Sequence, residues 1–191
     1  LATKMPCWEV KSKADLDRIL NEQLQKLQVE QVDFYLLHAL NKQSWTKMYE
    51  MDVLDWLEKV KKEGKIDRIG FSFHDDYPVF KEIIDSYSWD FCQIQYNYMD
   101  TENQAGTEGL KYAAAKEIAV VIMEPLLGGK LVDPPARIQK LWETAKIKRS
   151  AADWGLQWLW NQPEVAVVLS GMSDMSQVRE NIASAAKSGI N

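Results

Sequence analysis

Six polar side chains stand at or near the ends of apolar runs and could do chemistry: Lys4, His38, Ser72, Gln93, Glu124 and Ser170. In parallel α/β folds the site lies at the carboxyl ends of the strands, so these positions come first. His38 closes the most hydrophobic run, Val32-Asp-Phe-Tyr-Leu-Leu-His38. It is read as an imidazole that polarises a carbonyl or relays a proton. The alternative is a neutral histidine hydrogen-bonded in the core. Lys4 reads two ways, as a solvated lysine or as a buried ammonium that lowers a neighbour's pKa. Gln93 and Gln95 share one strand face, and two inward amides need partners from a ligand or a neighbouring strand. Gly128-Gly129 after Pro125 makes a tight turn that can approach a ligand closely. It is neither a P-loop nor a GxGxxG fingerprint.

The elements that must position these residues alternate between strand and helix. Strands are expected at 1–5, 32–38, 66–73, 91–96, 119–124 and 165–169. The first helix starts at a capping box, Ser12 with Asp15, and continues through Leu16, Ile19, Leu20, Leu24 and Leu27. Val53, Leu54, Leu57 and Val60 mark the second, closed by Gly64. Helices at 78–87, 107–117, 136–145 and 151–162 follow, and Asp174 caps the last. Such an alternation is the pattern of a parallel α/β sheet. Trp154 and Trp158 are read as core packing. His74, Asp75 and Asp76 are read as solvated turn residues.

The 191 residues, 46% hydrophobic and 27% charged, fall in the globular range. They fall short of the ~250 residues usual for an eightfold α/β barrel. A net charge of −5 with no basic stripe argues against a nucleic-acid partner. No apolar run approaches the ~20 residues of a membrane span. Two cysteines, Cys7 and Cys92, without a CxxC pair suggest neither a disulfide framework nor a metal site. A reducing cytoplasm is the expected setting.

Several strings together resemble the aldo-keto reductase superfamily. They are Leu1-Ala-Thr-Lys4, Asp33-Phe-Tyr-Leu-Leu-His38, Gly64-Lys-Ile-Asp-Arg-Ile-Gly-Phe-Ser72, Cys92-Gln-Ile-Gln-Tyr-Asn97, Met123-Glu-Pro-Leu-Leu-Gly128 and Val178-Arg-Glu-Asn-Ile182. Their order and spacing match over essentially the whole chain. The Met-Glu-Pro-Leu variant is similar to a bacterial and archaeal branch whose members often carry a cysteine-rich iron–sulfur tail. No cysteine follows Cys92 here.

The resemblance implies a (β/α)8 TIM barrel that binds a nicotinamide nucleotide without a Rossmann domain and reduces small aldehydes or ketones. It also implies that loops after the strands shape the substrate pocket, with the 39–52 stretch, through Trp45 and Met48, as an apolar wall. Of the family's Asp, Tyr, Lys and His tetrad, Lys4 and His38 match. The Asp and Tyr would lie upstream of Lys4. The expectation is therefore one partial barrel domain over 1–191, strands three to eight, with the first two strands missing. That chain by itself is expected to be inactive, and the full-length protein to be a monomer or weak oligomer.

Ser72 and Gln93 match positions that hold the nicotinamide carboxamide, although Phe73 stands where an Asn is usual. Glu124 replaces the stacking aromatic. Leu126 and Gly128 match a loop near the pyrophosphate, and Ser170 ends the last strand beside it. Gly171 and Gln177 stand where cations often hold a 2′-phosphate. Arg179, Glu180 and Asn181 match the pattern, the last two at adenosine contacts. Losing cations weakens a preference for NADP over NAD, so both cofactors are carried forward. Two other readings are kept. One is a non-catalytic nucleotide-binding regulatory or redox-sensing subunit, motivated by Phe73, Glu124 and Gly171. The other is an unrelated barrel enzyme handling a phosphorylated substrate near Gly128-Gly129.

Overall fold

Short apolar runs separated by amphipathic helices bury both faces of each strand, and the chain uses them that way. A computed structural model describes residues 1–189. Six strands carry the sheet: β1 (Ala2–Met5), β2 (Val32–Leu40), β3 (Ile66–Phe73), β4 (Phe91–Gln95), β5 (Ala119–Met123) and β6 (Val165–Val168). They lie side by side in chain order, and every neighbouring pair is parallel. The register runs Lys4 to Leu36 to Gly70 to Phe91 to Ala119 across five strands. All carboxyl ends therefore point the same way.

The helices are α1 (Lys13–Leu27), α2 (Lys42–Glu50), α3 (Val53–Lys62), α4 (Tyr77–Asp85), α5 (Gly106–Ala115), α6 (Ala136–Glu143), α7 (Ala151–Trp160) and α8 (Met175–Ala185). The Asp15 carboxylate takes the Ser12 N–H at 2.9 Å, completing the expected box on α1. Arg18 at 2.9 Å and those N–H groups hold the Asp15 carboxyl down to about 2. Asp174 caps α8 by accepting from the Ser176 and Gln177 N–H groups.

Alternation gives the sheet two faces. Tyr35, Leu37, Phe71 and Cys92 point to the helices and join the main core. There Phe71 meets Trp89 edge-on at 4.9 Å, and Phe73 meets Phe80 at 5.1 Å. On the opposite face Phe34 meets Phe91 edge-on at 5.5 Å, with Leu36 and Gln93 buried nearby in the register.

One expectation is corrected here. The 39–52 stretch is mostly helix, not loop, and its Asn41 side chain caps α2 by accepting from the Ser44 N–H at 2.8 Å. Trp45 and Met48 are 3% and 0% exposed in the main core, with Trp45 against Trp89 at 6.2 Å. Helical spacing turns both toward the sheet, where they pack in the main core rather than wall a substrate pocket at the strand ends.

Candidate functional site

The parallel register collects the candidate residues at one end of the sheet. Lys4 and His38 lie near the ends of the adjacent strands β1 and β2. Among the described residues the Lys4 ammonium has no hydrogen-bond or ion-pair partner. Burial, then the Lys4 charge, then His74 push the His38 pKa below its ordinary value. The imidazole is therefore neutral near pH 7 and can donate one hydrogen bond and accept another. Trp8, in the turn after β1, lies against it with ring centroids 4.9 Å apart. Sequence reading missed Trp8, since a lone tryptophan in a turn carries no periodic signal.

The end of β2 is irregular. Leu37 pairs with Phe71 and Leu40 with Phe73, so two residues, His38 and Ala39, oppose the single Ser72. This is a bulge. Ala39 has φ +56°, a left-handed conformation rare for a residue with a side chain. Its N–H, turned out of the ladder, is accepted by the Ser72 hydroxyl oxygen at 2.8 Å. Ser72 is 1% exposed.

On β4, Gln93 is buried and its amide N–H reaches the Met123 sulfur at 3.2 Å. Gln95 instead donates to Asp100 at 2.9 Å and accepts from Gln104 at 3.2 Å. Of the two amides, Gln93 is the one left with only a weak sulfur acceptor.

Beyond β5 the backbone turns sharply. Glu124 and Leu127 have φ of +55° and +50°, and Gly128 and Gly129 follow at +61° and +88°. The buried Asn97 amide donates to the Glu124 carbonyl at 3.1 Å and fixes the start of the turn. Gly155 on α7 lets the turn lie close, since a Cβ there would meet Leu126 at 2.8 Å.

Between this turn, the end of β6 and the amino ends of α7 and α8 lies a cavity of about 480 Å³. Seven expected residues line it: Glu124, Leu126, Gly128, Ser170, Gly171, Glu180 and Asn181. Asn181 donates to the Ser170 hydroxyl at 2.9 Å, which ties α8 to the strand end. A side chain built on Gly129 or Gly171 would meet nothing within 4 Å, so both face open space. Ser150, Ala151 and Gln177 also line the cavity; of these, Ser150 and Ala151 went unread in the sequence. Ser150 was legible as the N-cap of α7, whose Asp153 N–H it accepts at 3.1 Å. The lining holds two carboxylates, Glu124 and Glu180, and no lysine or arginine. Lys4, His38, Ser72, Gln93 and the exposed Arg179 are not part of this lining.

A profile of the aldo/keto reductase family matches residues 1–188. The chain belongs to the aldo/keto reductase family. It is 26% identical to an uncharacterized oxidoreductase of Schizosaccharomyces pombe over 164 residues, 85% of this chain and 50% of the relative. It is also 26% identical to the uncharacterized oxidoreductase YqkF of Bacillus subtilis over 196 aligned positions, covering 91% of this chain and 61% of that protein. The chain thus spans about half to three-fifths of the length of these relatives. Aldo-keto reductase AKR11C1 from Bacillus halodurans superposes with a TM-score of 0.82 at 24% identity, covering 100% of this chain and 67% of that one. An aldo-keto reductase from Klebsiella pneumoniae in complex with NADPH superposes with a TM-score of 0.75 at 22% identity, covering 96% and 63%. The shared fold of this aldo/keto reductase chain is thus an α/β fold built on a parallel six-stranded sheet.

Proposed function

We propose that this protein is an oxidoreductase that reduces a small aldehyde or ketone with NADPH or NADH. The observation that carries the reading is the pairing of a cation, Lys4, with a neutral imidazole, His38, at the ends of adjacent strands of an aldo/keto reductase sheet. In this reading Lys4 and His38 are catalytic. His38 donates a hydrogen bond to the carbonyl oxygen, and the Lys4 charge favours the negative charge that develops there.

A nicotinamide dinucleotide fits the residues present. The cavity beside the glycine turn offers neutral donors and open backbone rather than bulk, through Gly128, Gly129, Gly171, Ser170 and Asn181. The N-terminus of α7 at Ser150 adds backbone N–H groups suited to a phosphate. Leu126, Glu180 and Asn181 complete the dinucleotide set, with Glu124 in the same lining and Arg179 next in sequence to Glu180 on α8. Gln93, and Ser72 through its hydroxyl proton, are the carboxamide candidates on the strand ends. When bound, a reduced nicotinamide supplies the hydride to the carbonyl carbon. The cation-free lining gives a 2′-phosphate no ion-pair partner, which keeps NADH alongside NADPH.

The six strands are read as strands three to eight of an eightfold barrel, with the proton donor on preceding strands. Support comes from the consecutive parallel order and from coverage of 67% of the Bacillus halodurans structure. The two free, buried thiols suit a reducing, cytoplasmic setting. Fluorescence titration with NADPH and NADH tests the proposal, and saturable binding of at least one is expected. Absence of binding to both would overturn it.

A further inference from the structure

The bulge at the end of β2 decides where His38 points, and one side chain holds it. Ala39 sits at φ +56° with no glycine to make that conformation easy. Left-handed backbone at a side-chain-bearing residue persists only where the surroundings over-determine it. Here the Ser72 hydroxyl oxygen accepts the stray Ala39 N–H at 2.8 Å from the neighbouring strand. The Ser44 hydroxyl approaches the Ala39 carbonyl from the other side at 3.4 Å, a much weaker contact. Ser72 is 1% exposed and sits opposite the two-residue bulge, so its oxygen is committed to the backbone of the residue that follows His38.

We infer that Ser72 is a positioning residue for His38, its oxygen holding the imidazole in place through the Ala39 N–H while its proton stays free for the cofactor. The inference rests on the reading of His38 as catalytic. A hydroxyl at position 72 is needed as an acceptor. Without it the half-buried Ala39 N–H has no partner, and the backbone can relax toward a regular ladder. Such a slip would swing His38 away from Trp8, which lies at 4.9 Å, and change its distance from Lys4 and His74, the charged and titratable groups that face it.

The test compares Ser72→Ala, Ser72→Cys and the double variant Ser72→Ala/Ala39→Gly with wild type, all in the full-length protein. Two readouts are used: the ¹⁵N-NMR titration of the His38 imidazole, and steady-state kinetics with NADPH affinity. In Ser72→Ala the His38 titration is expected to move. The expected kcat loss, measured at saturating NADPH, is about tenfold or more. Cysteine keeps the volume but offers a weak acceptor, so Ser72→Cys should shift the same readouts if the alanine variant does not fold. Glycine adopts positive φ freely, so the double variant should recover part of the loss.

An unchanged His38 titration in both single variants would overturn the inference. So would a kcat preserved at saturating NADPH, whatever the change in NADPH affinity, which would leave Ser72 a cofactor ligand alone. A wild-type protein that binds no NADPH or NADH defeats the proposed function instead. The NMR titration still decides the role of Ser72 in that case.

Discussion

His38 and Lys4 interact through charge, which gives a test that does not need a substrate. An exposed histidine titrates near pH 6.5. In the folded chain burial is the main cause holding His38 below that, and Lys4 adds to it. Removing a neighbouring positive charge makes the protonated form easier to reach. Lys4→Met is therefore expected to move the His38 NMR midpoint upward, toward the ordinary value, without unfolding the chain. A midpoint that stays put would separate Lys4 from the site. The depressed pKa also sets a pH window. The unfolded chain takes up the proton at about pH 6.5 and the folded chain only at lower pH, so the stabilising contribution is complete above that and declines as pH falls below it. The types and spacing of Lys4 and His38 were readable from sequence because strands present their ends to the site. The Trp8 ring against His38 was not, because a contact between a turn and a neighbouring strand leaves no local pattern.

The strands and seven of the eight helices were legible because each carries a run or period of apolar residues that one buried face demands. The helix α2 escaped because Lys42-Gln-Ser-Trp-Thr-Lys-Met-Tyr-Glu50 offers a short stripe, Trp45, Met48 and Tyr49, inside a polar stretch. The 3₁₀ turn Leu127–Val132 is set by backbone that L-residues seldom adopt, and only its two glycines signalled it. The bulge at Ala39 had no signal at all, since alanine does not favour positive φ; Ser72, far along the chain, supplies the reason. Gly70 on β3 shows the same dependence on a neighbouring element. A Cβ there would stand 2.6 Å from the Phe91 carbonyl oxygen and 2.7 Å from its ring. Backbone cannot move aside as a flexible side chain can, so β3 and β4 would have to separate. Gly70→Ala is expected to destabilise the fold by about 1–3 kcal/mol, the usual cost of overpacking. Urea unfolding with an unchanged m-value would measure it. A variant as stable as wild type would mean that the two strands are held less tightly than the register indicates.

The sheet as a whole has an outer face sealed by helices and two strands, β1 and β6, with one neighbour each among the described residues. An unpaired parallel edge offers a row of N–H and C=O groups to any other strand. Apolar side chains add to that offer, with Val167 on β6 46% and Leu169 just after it 44% exposed, and Phe34 is 46% exposed on β2. The 191-residue chain, prepared by itself, is therefore expected to self-associate. Sedimentation velocity should show a weight-average coefficient that rises with concentration. The association should persist in high salt, because apolar surface and backbone pairing are little screened, unlike exposed ion pairs. Val167→Lys places a charge on the strand that is most exposed, a substitution that blunts edges. It should lower the association while leaving the far-ultraviolet circular dichroism unchanged. A coefficient independent of concentration in the unsubstituted chain would mean that neither edge is available for pairing. A Val167→Lys variant that associates as strongly as the parent would shift the contact to β1 and its neighbour Phe34.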